Sequence, residues 1–171
     1  MTRYESTTPG ATACDLLADF VERLEAATVA PALVAPEHTE EAQEVARDWA
    51  RNHLVHFASY ASGGRWHTAA HLDYLGAKLE AVERGEITRL IISMPPRHGK
   101  SEFTSFYFPT WYEGRNPHHR VIITGYGDEL ATTFGRRTRN LMNEIGPELW
   151  GVRVAGDSSA AGRWDIAGHD G

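Results

Sequence analysis

The eight residues from Met94 to Ser101, MPPRHGKS, end in Gly-Lys-Ser. Those three residue types at that spacing suit phosphate chemistry. A glycine lets backbone amides approach an anion, a lysine ammonium reaches phosphate oxygens, and a serine hydroxyl ligates Mg²⁺. A standard loop of this kind reads G-x-x-x-x-G-K-[ST], and here Met94 stands where the first glycine belongs. Gly-Lys-Ser alone also arises by chance, with the lysine merely solvated on a surface loop. The neighbouring elements decide between the two.

A phosphate loop needs a buried strand before it, a tight turn that exposes N–H groups, and a helix that starts at the lysine. The sequence offers all three: an apolar strand over Thr88 to Ser93, a turn from Pro95 to Gly99, and a helix from about Lys100. In that setting the loop residues Pro96, Arg97, His98, Gly99, Lys100 and Ser101 are the expected nucleotide-binding set. Lys100 would reach the β- and γ-phosphate oxygens, and the Ser101 hydroxyl would ligate Mg²⁺. The Arg97 guanidinium is placed to contact the γ-phosphate and stabilise charge that develops in transfer, or else to pair with a nearby carboxylate. Glu102 reads as a helix-start residue complementing the dipole.

Outside the loop, Leu16, Leu17, Phe20, Val21 and Leu24 have helical spacing, and APALVAPEH after them reads as a linker. Thr39 is suited to cap a second helix, with Glu40 and Glu41 in its first turn and a stripe through Ala42, Val45, Ala46, Trp49 and His53. ASGG at 61–64 ends that unit. Thr68 is suited to cap a third helix with Leu72, Leu75, Leu79 and Val82 on one face, closed by Gly85. RVIIT from Arg120 reads as a second buried strand, followed by a helix over roughly Asp128 to Asn143. The alternation of strand and helix predicts an α/β core with a parallel sheet flanked by helices: a P-loop nucleoside-triphosphatase core, incomplete, preceded by an N-terminal helical segment. The expected division is a helical segment over residues 1–60 and a partial ATPase domain over 61–171.

Bulk properties bound the function classes. The chain has 171 residues, 42% hydrophobic and 23% charged, in the range of an ordinary globular domain. The longest clearly apolar run, Leu90 to Ile92, is far too short to span a bilayer. The amino terminus, MTRYESTTPG, lacks the apolar core of a secretory signal. Cys14 is the only cysteine, which excludes an intrachain disulfide and a cysteine metal cluster and points to a reducing compartment. A net charge of −6 argues against a simple basic nucleic-acid binder. Of 17 basic residues only Lys78 and Lys100 are lysines, so half of the lysines fall in the loop. Arg136, Arg137 and Arg139 read as the basic end of the last helix, and His118 and His119 as solvated turn residues.

The stretches ITRLIISMPPRHGKSEF, FPTWYEGRNPHHRVIIT and ELATTFGRRTRNLM resemble the ATPase half of large terminase subunits from tailed bacteriophages, the motors that thread DNA into preformed capsids. The resemblance runs from about His56 to the last residue. That family uses a deviant phosphate loop with an arginine in the turn, as Arg97 is here, and no leading glycine. The resemblance implies ATP and Mg²⁺ as cofactors, catalytic roles for Arg97 and Lys100, and Ser101 as the Mg²⁺ ligand. It also places Trp66 and His67, in RWHTAAHLDYL, where an aromatic and a polar residue recognise adenine. The indole would lie against the base and the imidazole would meet its polar edge; alternatively Trp66 staples the helix start to the core. Implied partners are double-stranded DNA, the portal protein, the small terminase subunit and further copies in a ring, in the host cytoplasm and with no membrane.

The family also carries a carboxylate pair after an apolar strand, one to hold the metal and one to orient water. No such run follows Lys100; Asp165 and Asp170 in RWDIAGHDG lack the strand before them. The expectation is therefore a truncated motor core without the carboxylate motif or nuclease domain, with weak or no hydrolysis. A helicase-like nucleoside triphosphatase and a nucleotide-binding module without hydrolysis are the alternatives.

Overall fold

The computed structural model describes residues 40–160 and 162–169, and all of these fall in one unit, Pro36–Gly171. The expected first helix and the Thr39 cap lie outside the described residues. Helix α1 (Glu40–Asn52) starts on Glu40 and Glu41 and ends on Arg51, charges that suit the two ends of its dipole. His53 is extended (φ −129°, ψ 122°) and separates α1 from α2 (Leu54–Ala61), so the helix ends just before the last residue of the expected stripe, and Val45 and Trp49 of that stripe are exposed. The first amide of α2 is satisfied from outside: Leu54 N–H donates to Glu80 Oε1 at 2.8 Å.

Helix α3 (Ala70–Glu83) turns Leu72, Leu75 and Leu79 inward, at the expected spacing. Its N-cap is Ala69, and the Thr68 hydroxyl is spent instead on the Asp73 carboxylate. Gly85, at φ 75°, ends the helix, and Glu86 and Ile87 return their amides to Ala81 O. Gly76 lets α2 lie close against α3, because a Cβ there would sit 2.7 Å from Val55 Cγ2.

A continuous helical stretch follows the loop: α4 (Lys100–Glu102), a π-helical turn (Phe103–Tyr107) and α5 (Phe108–Arg115). Phe103, Tyr107 and Trp111 enter the core with Leu54, Phe57 and Leu72. Trp111 is 1% exposed, and its indole N–H donates to Arg51 O at 3.1 Å. Helix α6 runs from Asp128 to Leu149, longer than expected and through Pro147. Its Leu141, Ile145 and Leu149 complete the same core.

The expected parallel sheet does not form. The described residues contain one sheet, the antiparallel hairpin of β1 (Val154–Ala160) and β2 (Arg163–Ile166), and the rest of the architecture is helical. Residues 88–93 and 120–124 belong to no helix and form no ladder. Ile91 and Ile122 stand 95% and 85% exposed, although the sequence reads as two buried strands. The physical reason is coverage. Parallel strands need neighbours along both edges and layers on both faces, and two short segments supply neither. No other such apolar segment lies beside them among the described residues. The P-loop sheet core is corrected to a helical body carrying a loop, two unpaired segments and a hairpin. The hairpin packs on α6 through Met142, Val152 and Ile166.

Candidate functional site

The loop keeps the local shape that anion binding requires. Gly99 lies at φ 81° and is followed at once by helical Lys100; Arg97 also has positive φ, 65°, the one non-glycine residue to do so among those described. A left-handed residue followed by a right-handed one turns successive N–H groups toward one side, an arrangement that binds anions. Among the described residues, no backbone hydrogen bond engages the amides of residues 97–102. The first to be paired is that of Phe103, on Gly99 O at 2.9 Å. Six successive free donors at the start of a helical stretch make a concentration of positive partial charge.

Gly99 is required twice over. Its φ suits glycine, and a Cβ there would lie 3.2 Å from the Trp66 indole. Trp66 is half-buried beneath the loop. Its ring stacks on Phe103 at 5.4 Å and 13° and meets Tyr107 edge-on at 5.2 Å. Its backbone amide donates to Ser62 Oγ at 2.8 Å, while the indole Nε1 is buried without an acceptor among the described residues. One indole face is thus taken by Phe103. His67, the next residue, is exposed.

Two histidines shape the turn. His98 Nδ1 lies 2.8 Å from Pro96 O, and His71 Nε2 reaches from α3 to within 3.3 Å of His98 O. Arg97 and Ser101 are exposed and Lys100 is half-buried; none of the three side chains has an ion-pair partner among the described residues. Glu102 lies in the first turn of α4, as expected, and also takes a partner. Both of its carboxylate oxygens take the Arg137 guanidinium, one at 2.9 Å, and that guanidinium also lies 4.0 Å over the Phe106 ring. The arginines of α6 sit mid-helix, ten or more residues before its end at Leu149, and Arg137 ties α6 to the helix that begins in the loop instead of answering a dipole. A pair separated by 35 residues leaves no local trace in sequence. The turn histidines are engaged too: Tyr112 OH and His119 Nδ1 are 2.8 Å apart, and the His118 and His169 rings are 4.5 Å apart.

A cavity of about 710 Å³ lies elsewhere, among residues 119–123, α5, α6 and β2. No residue of the 95–101 loop lines it. It holds Glu113, whose Oε2 is buried without a partner among the described residues and whose carboxyl is pushed up to about 8 by burial. Thr138, 1% exposed, presents another unpartnered oxygen there. Among the described residues no three carboxylates, histidines or cysteines gather at metal-binding spacing, and no helix is long and apolar enough to cross a membrane.

Comparison of the chain with protein-family models, curated proteins and solved structures finds no match.

Proposed function

We propose that residues 96–101 bind the phosphates of a nucleoside triphosphate, and that the chain is the ATP-binding part of a DNA-packaging motor of the terminase type. The observation that carries this reading is the run of six amides, unpaired among the described residues, entering the helical stretch at Lys100, beside a lysine and an arginine with no anionic partner among those residues. Unpaired donors and uncompensated cations at one helix start are the complement of a polyphosphate. ATP fits this set through its phosphates, and Mg²⁺ would be held by the Ser101 hydroxyl together with phosphate oxygens. Bound Mg²⁺ would neutralise phosphate charge. Lys100 would then bind the terminal phosphates, Arg97 would orient the γ-phosphate, and His71 and His98 would keep the turn in shape. By the same resemblance Trp66, which lies against Gly99, and the exposed His67 are the residues that would meet a base. In the intact motor, hydrolysis would be coupled to translocation of double-stranded DNA, with the portal protein, the small terminase subunit and neighbouring copies as partners in the host cytoplasm.

The test is calorimetric titration with ATP and Mg²⁺. Lys100→Ala should weaken binding by roughly tenfold or more, the worth of one charge-assisted contact, with helical content unchanged. Equal affinity in parent and variant would remove the loop from the binding site. Trp66→Phe sharpens the base assignment, because the nucleotide-induced fluorescence change should shrink if the indole senses the base.

A further inference from the structure

A second site lies apart from the loop, in the cavity of about 710 Å³ walled by α5, α6, residues 119–123 and β2. Pockets for small organic molecules run from roughly 300 to 1,000 Å³, so the volume suits one. Two polar side chains that line it lack partners among the described residues, and each departs from a nearby residue of its own type. Thr104 and Thr110, also helical, donate their hydroxyls to Lys100 O and Phe106 O, four residues back, both at 2.9 Å. That local bond is how a helical hydroxyl is commonly satisfied. Thr138 lies within α6 at 1% exposure and makes no such bond among the described residues. Glu83 of α3, with its side chain 10% exposed, takes both Arg115 Nε and Asn116 Nδ2 at 3.1 Å. Glu113 of α5 has no donor for its buried Oε2 among those residues, and burial pushes its carboxyl up to about 8. A buried polar atom left unpaired costs free energy, so two of them in one cavity mark a place that a ligand's polar atoms would complete.

The charges at the cavity narrow the ligand class. Two arginines, Arg120 and Arg163, and two aspartates, Asp128 and Asp165, line it, and His119 Nδ1 meets Tyr112 OH at 2.8 Å. The two signs are equal in number, and the buried Glu113 keeps its proton near neutral pH, so the cavity favours neither a cation nor an anion. A neutral carboxyl donates through its O–H, and a threonine hydroxyl accepts as well as donates. Their joint complement is an amide edge, whose carbonyl accepts from the Glu113 O–H and whose N–H donates to Thr138 Oγ1. Much of the remaining wall is apolar, with Pro109, Val121, Ile123 and Ile166 in it. We propose that this cavity binds an uncharged small molecule that presents an amide edge to Glu113 and Thr138 and packs an apolar body against Val121, Ile123 and Ile166.

The probe is quinolin-2-one, an uncharged bicycle with one lactam edge, titrated calorimetrically into the full chain, with circular dichroism to verify helical content in every variant. Near neutral pH it should bind the parent saturably at a single site. Quinoline, which keeps the bicycle without the lactam, and N-methylquinolin-2-one, which lacks the N–H, should each bind roughly tenfold more weakly. Glu113→Leu and Thr138→Val should each weaken quinolin-2-one binding by a factor of roughly ten as well. The parent's affinity should fall as pH rises past about 8, because an ionised carboxylate has no proton to donate to the carbonyl. Glu113→Gln keeps an uncharged donor at that position, so it should retain binding and show no such fall. Absence of saturable binding up to the solubility limit of the probe overturns the inference and leaves the cavity to water. Quinoline binding as tightly as quinolin-2-one overturns it too, as does binding that survives both Glu113→Leu and Thr138→Val. Benzylammonium binding more tightly than quinolin-2-one, and more tightly still as pH rises, would make the cavity a cation site and equally overturn it.

Discussion

The helical body and the two unpaired segments treat the same kinds of residue in opposite ways. In the body, Phe57, Leu54, Phe103 and Trp111 are at most 1% exposed, and even the Trp111 indole N–H has its acceptor. In the unpaired segments, Ile91, Ile122 and Tyr126 face outward, and the loop between the first segment and the helix leaves six amides unpaired among the described residues. Buried apolar surface contributes roughly 25 cal/mol per Å², so the body is where stability resides. Unpaired donors and exposed apolar side chains contribute nothing to folding and are available for binding. The buried core and the unpaired or outward-facing groups thus lie in separate parts of the chain, joined at Lys100, where the loop becomes the helix that enters the core.

Substitutions in the two regions should therefore separate cleanly. The largest effect is expected in the body: Trp111→Ala removes the most voluminous fully buried side chain among the described residues and takes one of two donors from Arg51 O, which keeps Arg115 Nη1 at 2.9 Å. It should cost about 3–5 kcal/mol in urea unfolding. A loss under about 1 kcal/mol would mean that the body does not carry the stability assigned to it.

Glu113 gives the next effect, and it depends on pH. Burial holds its carboxyl near 8, above the ordinary 4.5, so between those values the folded chain keeps a proton that the unfolded chain has released. The folded state binds more protons, and stability declines as pH rises through that window before levelling off above about 8. Glu113→Gln removes the ionisation and should flatten the decline, with a gain on the order of a few kcal/mol at alkaline pH. Parallel pH profiles for parent and variant would place the Glu113 carboxyl in water.

Arg137→Ala should cost less, about 0.5–1 kcal/mol, because its pair with Glu102 is partly exposed on both sides. Thermal unfolding at low and high salt distinguishes this contact from a packing effect; salt should erase most of the difference. The smallest effect belongs to the unpaired segments. Ile91→Thr should leave stability within about 0.5 kcal/mol of the parent, since the side chain is 95% exposed. A large loss there would mean that the segment is covered.

The body was well marked in the sequence. Acidic residues at Glu40 and Glu41, the stripe Leu72, Leu75 and Leu79 with Gly85 after it, and Asp128 at the head of the long helix are local signals, and each falls where an element begins, faces inward or ends. The turn before Lys100 and the helix start at that residue were legible for the same reason. What the sequence misled on was non-local. Leu90 to Ile92 and Val121 to Ile123 look like buried strands because an apolar run of that length does so whether or not a neighbour exists to pair with it. The hairpin of 154–160 and 163–166 was hidden because its first strand, VAGDSSA, carries glycine, serine and aspartate in place of apolar alternation. The Glu102–Arg137 pair, the burial of Glu113 and the positive φ of Arg97 arise from contacts or strain between distant elements, and no spacing rule reports them.

The most direct test of the central claim is hydrogen exchange at the amides of residues 97–102, measured with and without ATP and Mg²⁺. Without nucleotide these amides should exchange fast, as unpaired groups do, while those of Trp111 and Met142 remain protected. Nucleotide should slow exchange at 97–102 in the parent and leave it fast in Lys100→Ala. Protection that appears elsewhere, or equally in the variant, would contradict the assignment of this loop as the phosphate site.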